Sequence, residues 1–305
     1  LLSWMGEMMT GAWNPHGGSV ANIPGPGAVE QELIRWMCGL AGYPESAGGL
    51  FVSGGSMANL TALTAARDAC LPFEKRDKGV AYVSDQTHSS VSRAFHILGF
   101  QQEQIRRIPS DSSFAMDVKE LERAVRRDLS LGLAPFAVVA TAGTTNTGSI
   151  DPLAEIARLC KGSGLWMHVD GAFGASILLS GWGRGMLKGI EQSDSLSWDA
   201  HKWLRQTYGC SAVLVRQQSR LVRSFSSHPE YLEDLAGAPE ETNFWDLGPE
   251  LTRPCRSLKL WFTLQVLGQE QMAQDMEHSY RMAQAAAQEL EKDPHWEIIS
   301  GPRLG

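Results

Sequence analysis

One lysine in the chain occupies a position where its amine could do chemistry. Lys202 lies in the segment 193–208, SDSLSWDAHKWLRQTY, just after a short predicted strand that ends at Trp198. Its neighbours His201 and Trp203 predict a partly desolvated amine, and desolvation favours the neutral form that attacks an aldehyde to make a Schiff base. This chemistry indicates an aldehyde cofactor such as pyridoxal phosphate. The alternative is a surface lysine whose alkyl chain covers an apolar neighbour while its charge stays in water.

A glycine turn earlier in the chain could bind a phosphate. A short predicted strand, 50–52, ends at Ser53-Gly54-Gly55-Ser56, and the residues that follow, 57–70, are strong helix formers. Backbone N–H groups that glycines leave accessible, two serine hydroxyls and the positive end of a helix dipole all favour an anion there. The same residues also fit an N-cap after a tight turn, with no ligand.

Three further predicted strands end next to polar side chains. In open α/β sheets ligands bind at the carboxyl ends of the strands, so these positions favour function. A lone histidine at a helix start is otherwise a cap, and a carboxylate at a strand end needs a partner, which a core arginine or a ligand could supply. The residues are His88 after strand 79–84, Thr144 and Thr145 after strand 135–141, and Asp170 after strand 165–169.

The spacing of apolar residues predicts the elements that would position these side chains. Short apolar strands alternate with amphipathic helices, which is typical of an α/β fold with a mostly parallel sheet covered by helices on both faces. Residues 1–27 are predicted to form a loop. The segment 225–243 lacks periodicity and is too long for an ordinary connection, which predicts a lid. Further predicted helices cover 28–40, 91–98, 118–131, 151–160, 250–267 and 271–292, and further strands cover 194–198, 211–215 and 296–299.

Composition and charge narrow the class of function. The chain has 305 residues, 43% of them apolar, and a net charge of −7, with no Lys/Arg-rich run of the kind that binds nucleic acid. Its five cysteines are far apart and form no CxxC pair, which argues against a metal site or a disulfide framework and favours a reducing compartment. The longest apolar runs are of strand length. We therefore expect a cytoplasmic protein with no nucleic-acid or membrane partner.

Seven short segments together form a specific pattern. They are FVSGGSMANLTAL (51–63), SDQTHSSVSRA (84–94), ATAGTT (140–145), HVDGAFG (168–174), DAHKW (199–203), HPEYL (228–232) and RSLKLWF (256–262). In these segments the chain resembles the group II pyridoxal-phosphate-dependent amino acid decarboxylases, which include the aromatic-L-amino-acid and glutamate decarboxylases. The resemblance implies the aspartate aminotransferase fold, type I, and pyridoxal 5'-phosphate as the cofactor.

The resemblance also implies a role for each candidate residue. By position, Lys202 matches the lysine that holds the cofactor covalently, and Asp170 matches the carboxylate that bonds to the pyridinium nitrogen and keeps the ring an electron sink. Asp199 is a departure, because the better-known animal members have asparagine there, and a carboxylate beside a phosphate is repulsive unless it is protonated or turned away. The other implied contacts are His88 on one ring face, Ala172 on the opposite face, Thr145 near the ring substituents, and Gly55, Ser56, His201 and Asp199 at the phosphate.

Tyr231, in the segment HPEYL, bears on the type of reaction. The resemblance implies a loop tyrosine that protonates the substrate carbon after decarboxylation, whereas relatives with phenylalanine there form aldehydes. Tyrosine therefore favours decarboxylation of a small-molecule L-amino acid, with aromatic substrates as the first expectation. From the residues alone, a tyrosine in a polar loop is more often a packing anchor. Transamination, aldehyde-forming oxidative deamination and a catalytically silent binding module are the alternatives.

A domain organisation and an assembly also follow from the resemblance. Residues 1–45 correspond to an incomplete N-terminal segment, 46–268 to the cofactor-binding large domain, and 269–305 to the start of an incomplete small domain. We expect a homodimer with active sites at the subunit interface, and we expect the chain to be a piece of a longer protein. Arg256 and Lys259 match a basic pair on a helix, which we expect to bond with buried carboxylates such as Asp151.

Overall fold

A computed structural model describes residues 1–20, 23–227 and 243–305. The helices are α1 Leu2–Trp13, α2 Pro24–Leu40, α3 Gly55–Cys70, α4 Ser89–Ile97, α5 Val118–Ser130, α6 Leu153–Ser163, α7 Gly181–Met186, α8 Ser219–Phe225 and α9 Leu258–Leu290. The strands are β1 Gly48–Val52, β2 Gly79–Ser84, β3 Ile105–Ile108, β4 Ala134–Thr141, β5 Trp166–Asp170, β6 Ser195–Trp198 and β7 Ser211–Val215.

Across these described residues, the seven strands form one sheet in the order β1-β7-β6-β5-β4-β2-β3. Strand β7 is antiparallel to both of its neighbours, β1 and β6, while the other pairs are parallel. Because β1 and β6 both oppose β7, they run in the same direction as β2, β4 and β5. The carboxyl ends of these five strands therefore meet at one edge of the sheet. The predicted mostly parallel sheet is confirmed.

Helices cover both faces of this sheet, as predicted. Along β2, Val80 and Tyr82 belong to a core that contains side chains of α2, α5 and α6. Ala81 and Val83 belong to a second core that contains side chains of α3, α4 and α8. Successive side chains of a strand point to opposite faces, so this alternation means that both faces of β2 are buried.

The N-terminal segment differs from its prediction, because residues 2–13 form helix α1 instead of a loop. This helix packs against α9 at a glycine: a Cβ at Gly6 would lie 2.7 Å from the Cα of Lys259. Glycine lowers intrinsic helix propensity, but here it permits a close approach of two helices. Tertiary packing outweighs local propensity in this segment.

Three other elements differ from the sequence analysis. Strand β3 was missed because Arg106 and Arg107 interrupt its apolar pattern at the margin of the sheet. The helix expected from residue 250 begins at Leu258. Residues 296–299 form no strand, and Trp296 and Ile299 are 62% and 76% exposed, with no strand in the described residues beside them.

Gly268 interrupts α9, with a φ of 72° and a ψ of 163°, so the predicted break between two long helices is confirmed. The division into domains at residues 268 and 269 stays a prediction. No helix among the described residues is both long and apolar enough to cross a membrane.

Candidate active site

The converging strand ends enclose one side of a cavity of about 670 Å³. Tyr231 lies outside the described residues, so the structure says nothing of its position. Every other residue that the sequence predicts for the site lines this cavity: Gly55, Ser56, His88, Thr145, Asp170, Ala172, Asp199, His201 and Lys202. They come from segments that follow β1, β2, β4, β5 and β6, which explains how residues distant in the chain meet.

The glycine turn 53–56, predicted to bind a phosphate and called the phosphate seat below, lies at the N-terminus of α3. Gly54 is the N-cap residue, and no side chain of the described part of the chain caps this helix end. Its first N–H groups and the Ser56 hydroxyl are therefore available to an anion. A Cβ at Gly55 would lie 2.9 Å from Asp199 Oδ2, so a glycine lets the Asp199 carboxylate approach the seat.

Lys202, Asp199 and His201 form a charged cluster beside this seat. Lys202 Nζ lies 3.2 Å from Asp199 Oδ2, and His201 Nε2 lies 3.6 Å from the same oxygen. The Asp199 side chain is 3% exposed, whereas the Lys202 side chain is 41% exposed and ion-paired, so the predicted desolvation of the lysine amine is wrong. Burial lowers the pKa of His201 below its usual value, so the ring is largely neutral at physiological pH. Lys202 therefore compensates the negative charge that Asp199 brings to the phosphate seat.

Asp170 ends β5 and is 5% exposed. Its Oδ1 accepts hydrogen bonds from the Ala172 N–H and the Ser197 hydroxyl, both at 3.2 Å. Its Oδ2 accepts a hydrogen bond of 3.0 Å from Asn59 Nδ2. The carboxylate is thus held by neutral donors, and no core arginine of the described residues bonds to it. A group in the cavity can still bond to its remaining lone pairs.

His88 combines the two interpretations that the sequence left open. It is the N-cap of α4, where Nδ1 accepts a hydrogen bond of 3.2 Å from the Ser90 N–H. The same ring also lines the cavity. Capping holds the ring in place at the strand end, so the structural contact and a contact with a ligand are compatible.

Several lining residues were not predicted. Asn59 lies on α3, Thr141 ends β4, and Phe173 stacks on Trp203 with ring centroids 4.8 Å apart. Asn59 could have been noticed as an amide side chain one turn after the glycine turn, between the apolar residues Ala58 and Leu60. Residues 302–305 also line the cavity, and nothing in their local pattern indicated it.

The predicted partners of the basic pair on α9 are wrong. Arg256 bonds to Glu250 through two contacts of 2.9 Å, and Lys259 pairs with Glu7 of α1 and donates to the Tyr208 carbonyl oxygen. Asp151 instead accepts backbone N–H groups of other segments, and burial raises its pKa to about 6. The basic residues thus pair with carboxylates nearer to the protein surface.

The cavity matches pyridoxal phosphate group by group. An uncapped helix end suits the phosphate, the Lys202 amine suits the aldehyde, and the Asp170 carboxylate suits the ring nitrogen. Two buried oxygens at the cavity, Thr141 Oγ1 and Asp199 Oδ1, have no hydrogen-bond partner among the described residues. The Thr141 hydroxyl can donate to a ligand in the cavity, whereas the Asp199 oxygen only accepts and gains no hydrogen bond from a phosphate.

Comparison with known proteins agrees with this geometry. Residues 1–305 match the family described as the pyridoxal-dependent decarboxylase conserved domain. The aromatic-L-amino-acid decarboxylase of Bacillus atrophaeus is 44% identical over 286 residues, which cover 93% of this chain and 59% of that protein. Phenylacetaldehyde synthase of Arabidopsis thaliana is 34% identical over 316 residues, which cover 100% of this chain and 64% of that protein.

Solved structures show the same fold. The crystal structure of Oryza sativa TDC with PLP and tryptamine has a TM-score of 0.94 and 28% identity, over 100% of this chain and 65% of that one. Mouse CSAD has a TM-score of 0.93 and 28% identity, over 99% of this chain and 64% of that one. The predicted type I fold and the predicted cofactor are confirmed. The chain spans 59% to 64% of the length of the two sequence relatives. Because the family match covers the entire chain, this protein belongs to the pyridoxal-dependent decarboxylase family.

Proposed function

We propose that the chain is the cofactor-binding part of an enzyme that removes the α-carboxylate from an aromatic L-amino acid. The observation that carries the proposal is that the Lys202 amine, the Asp170 carboxylate and the uncapped N-terminus of α3 line one cavity. The aromatic substrate is supported by the relative from Bacillus atrophaeus, whose name is aromatic-L-amino-acid decarboxylase. Other relatives are named tyrosine and tryptophan decarboxylases.

Each residue would contribute a distinct function. Bound pyridoxal phosphate supplies an electron sink for the electron pair that remains on the α-carbon when carbon dioxide departs. Lys202 would hold the cofactor covalently, and Asp170 would hold a proton at the ring nitrogen because its carboxylate is buried and already oriented. The N–H groups of Gly55 and Ser56 would neutralise the phosphate. His88 would bind against the ring.

The first experiment tests the cofactor and the lysine. We expect the purified chain, incubated with pyridoxal phosphate, to show an absorbance band that borohydride removes, with the reduced adduct on the peptide that contains Lys202. Lys202→Ala should abolish the reducible band. Lys161→Ala, an exposed lysine in the last turn of α6, should not. An unchanged band in Lys202→Ala would contradict the assignment.

A substrate panel tests the reaction. Incubation with aromatic L-amino acids should release carbon dioxide and the matching amine, and release should be slower with glutamate or aspartate. A keto acid with an aminated cofactor would instead indicate transamination. Cofactor binding without turnover of any amino acid would indicate a catalytically silent binding module.

Aldehyde formation is the second candidate, because phenylacetaldehyde synthase of Arabidopsis thaliana is 34% identical to this chain. Tyr231 favours the amine over the aldehyde by the resemblance stated above, although it lies outside the described residues. We expect Tyr231→Phe, assayed in air, to shift the product from amine toward aldehyde, ammonia and hydrogen peroxide, with dissolved dioxygen as the oxidant. An unaffected amine yield would refute a role of this tyrosine as the proton donor.

We also propose that the protein is a homodimer. Helix α1 presents Trp4, Met5 and Met8 on one face, with exposures of 54%, 44% and 52%. An apolar patch of this kind is typical of a subunit interface. Sedimentation should give about twice the 33.4 kDa mass of one chain. Trp4→Ser combined with Met8→Ser should lower the dimer fraction, whereas Leu129→Ser, equally exposed on α5, should not.

A further inference from the structure

A chain of buried hydrogen bonds lies behind the cavity and ends at two of its lining residues. Trp166 Nε1 donates to Ser195 Oγ at 2.8 Å, Ser195 Oγ lies 2.8 Å from His168 Nδ1, and His168 Nε2 lies 2.9 Å from Asn59 Oδ1. All four side chains are at most 4% exposed. The sheet brings them together, because His168 on β5 is directly paired with Ser195 on β6.

At Asn59 the chain divides into two branches. Asn59 Nδ2 donates to Asp170 Oδ2 at 3.0 Å and to Ser90 Oγ at 3.1 Å. Ser90 Oγ in turn lies 2.8 Å from His88 Nδ1. One amide therefore contacts both the carboxylate proposed for the ring nitrogen and, through a serine, the histidine proposed to contact the ring. In the part of the chain that the structure describes, Asn59 is the sole partner of Asp170 Oδ2.

The direction of each hydrogen bond follows from the chemistry of its two ends. A carboxylate only accepts, so Asn59 must turn its NH₂ group toward Asp170 and its oxygen toward His168. His168 Nε2 must then carry a proton and donate it. Burial lowers the pKa of His168 to about 4, so the ring is neutral and its Nδ1 accepts from the Ser195 hydroxyl. Trp166, which only donates, completes the bonding of that hydroxyl.

We propose that Asn59 is a positioning residue for Asp170 and His88, and that a single tautomer of His168 holds its amide in the required orientation. This inference rests on the proposed function, since it concerns how the site receives the ring of the cofactor. Other donors hold only Asp170 Oδ1, so the direction of Oδ2 depends on Asn59.

The tautomer of His168 can be measured without any cofactor. We expect the ¹⁵N spectrum of the histidine-labelled chain to contain one neutral ring that is protonated on Nε2 and does not titrate between about pH 8 and pH 5.5. That signal should disappear in His168→Gln, which assigns it. A proton on Nδ1 of His168, or a charged ring at neutral pH, would overturn the proposed direction of the hydrogen bonds.

Cofactor binding tests the positioning role. Asn59→Leu should weaken binding of pyridoxal phosphate by about 10- to 100-fold, the amount expected for a lost hydrogen bond to a charged group. Asn59→Asp, which has the same shape without the amide donor, should also weaken binding of pyridoxal phosphate. His168→Gln keeps an N–H donor and should retain affinity, whereas His168→Leu should lose it. Thr61→Val, on the same helix and 0% exposed, is the matched control and should leave affinity unchanged.

Two outcomes separate the inference from its alternatives. If Asn59 serves only to stabilise the fold, its variants will unfold at lower temperature but keep their cofactor affinity and the pH at which the bound chromophore changes; that result overturns the proposal. If the unsubstituted chain binds no pyridoxal phosphate, the proposed function fails together with the positioning role. The two failures are distinguishable because the first requires normal binding by the unsubstituted chain.

Discussion

A buried ion pair between Glu30 and Arg253 stabilises the strand that leads into the phosphate seat. The two side chains are 2% and 0% exposed, and Arg253 Nη2 lies 2.7 Å from Glu30 Oε1. Glu30 Oε1 also accepts the Phe51 N–H, and Arg253 donates to the carbonyl oxygens of Phe51 and Gly17. Phe51 belongs to β1, so the pair connects α2, the N-terminal segment and the strand that ends at the seat.

Glu30→Gln tests how much this pair contributes. The glutamine keeps the size of the side chain and an oxygen for the Phe51 N–H, but it removes the negative charge. Arg253 then stays buried without a counter-charge, and we expect the free energy of unfolding to fall by about 3–5 kcal/mol. The matched control is Glu250→Gln. Glu250 bonds Arg256 at 2.9 Å, but its side chain is 29% exposed. Removing its charge should therefore lower the free energy of unfolding by about 1 kcal/mol or less.

The assay is urea unfolding of the cofactor-free chain at neutral pH, followed by tryptophan fluorescence and circular dichroism. The shift of the midpoint at an unchanged slope gives the loss in the free energy of unfolding. A cycle that includes Arg253→Gln and the double variant should give a coupling energy of about 2 kcal/mol. If Glu30→Gln costs no more than Glu250→Gln, the reasoning from burial is refuted.

Two further predictions concern a buried histidine and a strained turn. Because burial lowers the pKa of His168 from 6.5 to about 4, the neutral ring stabilises the fold above pH 6.5, and that stability is lost as the pH falls toward 4. Relative to His168→Gln, the free energy of unfolding of the unsubstituted chain should fall by about 2 kcal/mol between pH 8 and pH 5 in the same urea assay. Parallel pH profiles of the two proteins would contradict this. Gly189 has a φ of 104°, and a Cβ added at this residue would lie 2.3 Å from the backbone nitrogen of Ala154. Gly189→Ala should therefore lower the free energy of unfolding by about 2–5 kcal/mol. The control Gly132→Ala, where φ is also positive but no atom lies within 4 Å of the added Cβ, should lower it by about 1–2 kcal/mol. Equal losses would show that the close contact has no effect.

Much of the site could be predicted because its residues follow strand ends. Asp170 is the last residue of β5, and Lys202 and His88 lie four residues after the ends of β6 and β2. The phosphate seat lies where β1 is followed by α3. Alternation of strands and helices makes a mostly parallel sheet the expected arrangement, and such a sheet collects its carboxyl ends at one edge. The meeting of these side chains at one edge was therefore predictable from their places along the chain, whereas their individual roles followed from the resemblance to the family.

The tertiary structure alone decided what lies around them. Asn59 and His168 are distant in the chain, and only the packing of α3 on the sheet brings them within 2.9 Å. The antiparallel direction of β7 likewise depends on which strands pair, and local sequence carries no signal for that choice.

The sequence by itself determined which groups are available for chemistry, because side-chain type and strand-end position are local properties. The fold decided which groups face each other and which are buried. Lys259, expected to bond with Asp151, pairs instead with Glu7 of a helix that the local pattern did not predict. Long-range packing sets such distances and burial, and for that reason the partners of the charged residues became known only with the structure.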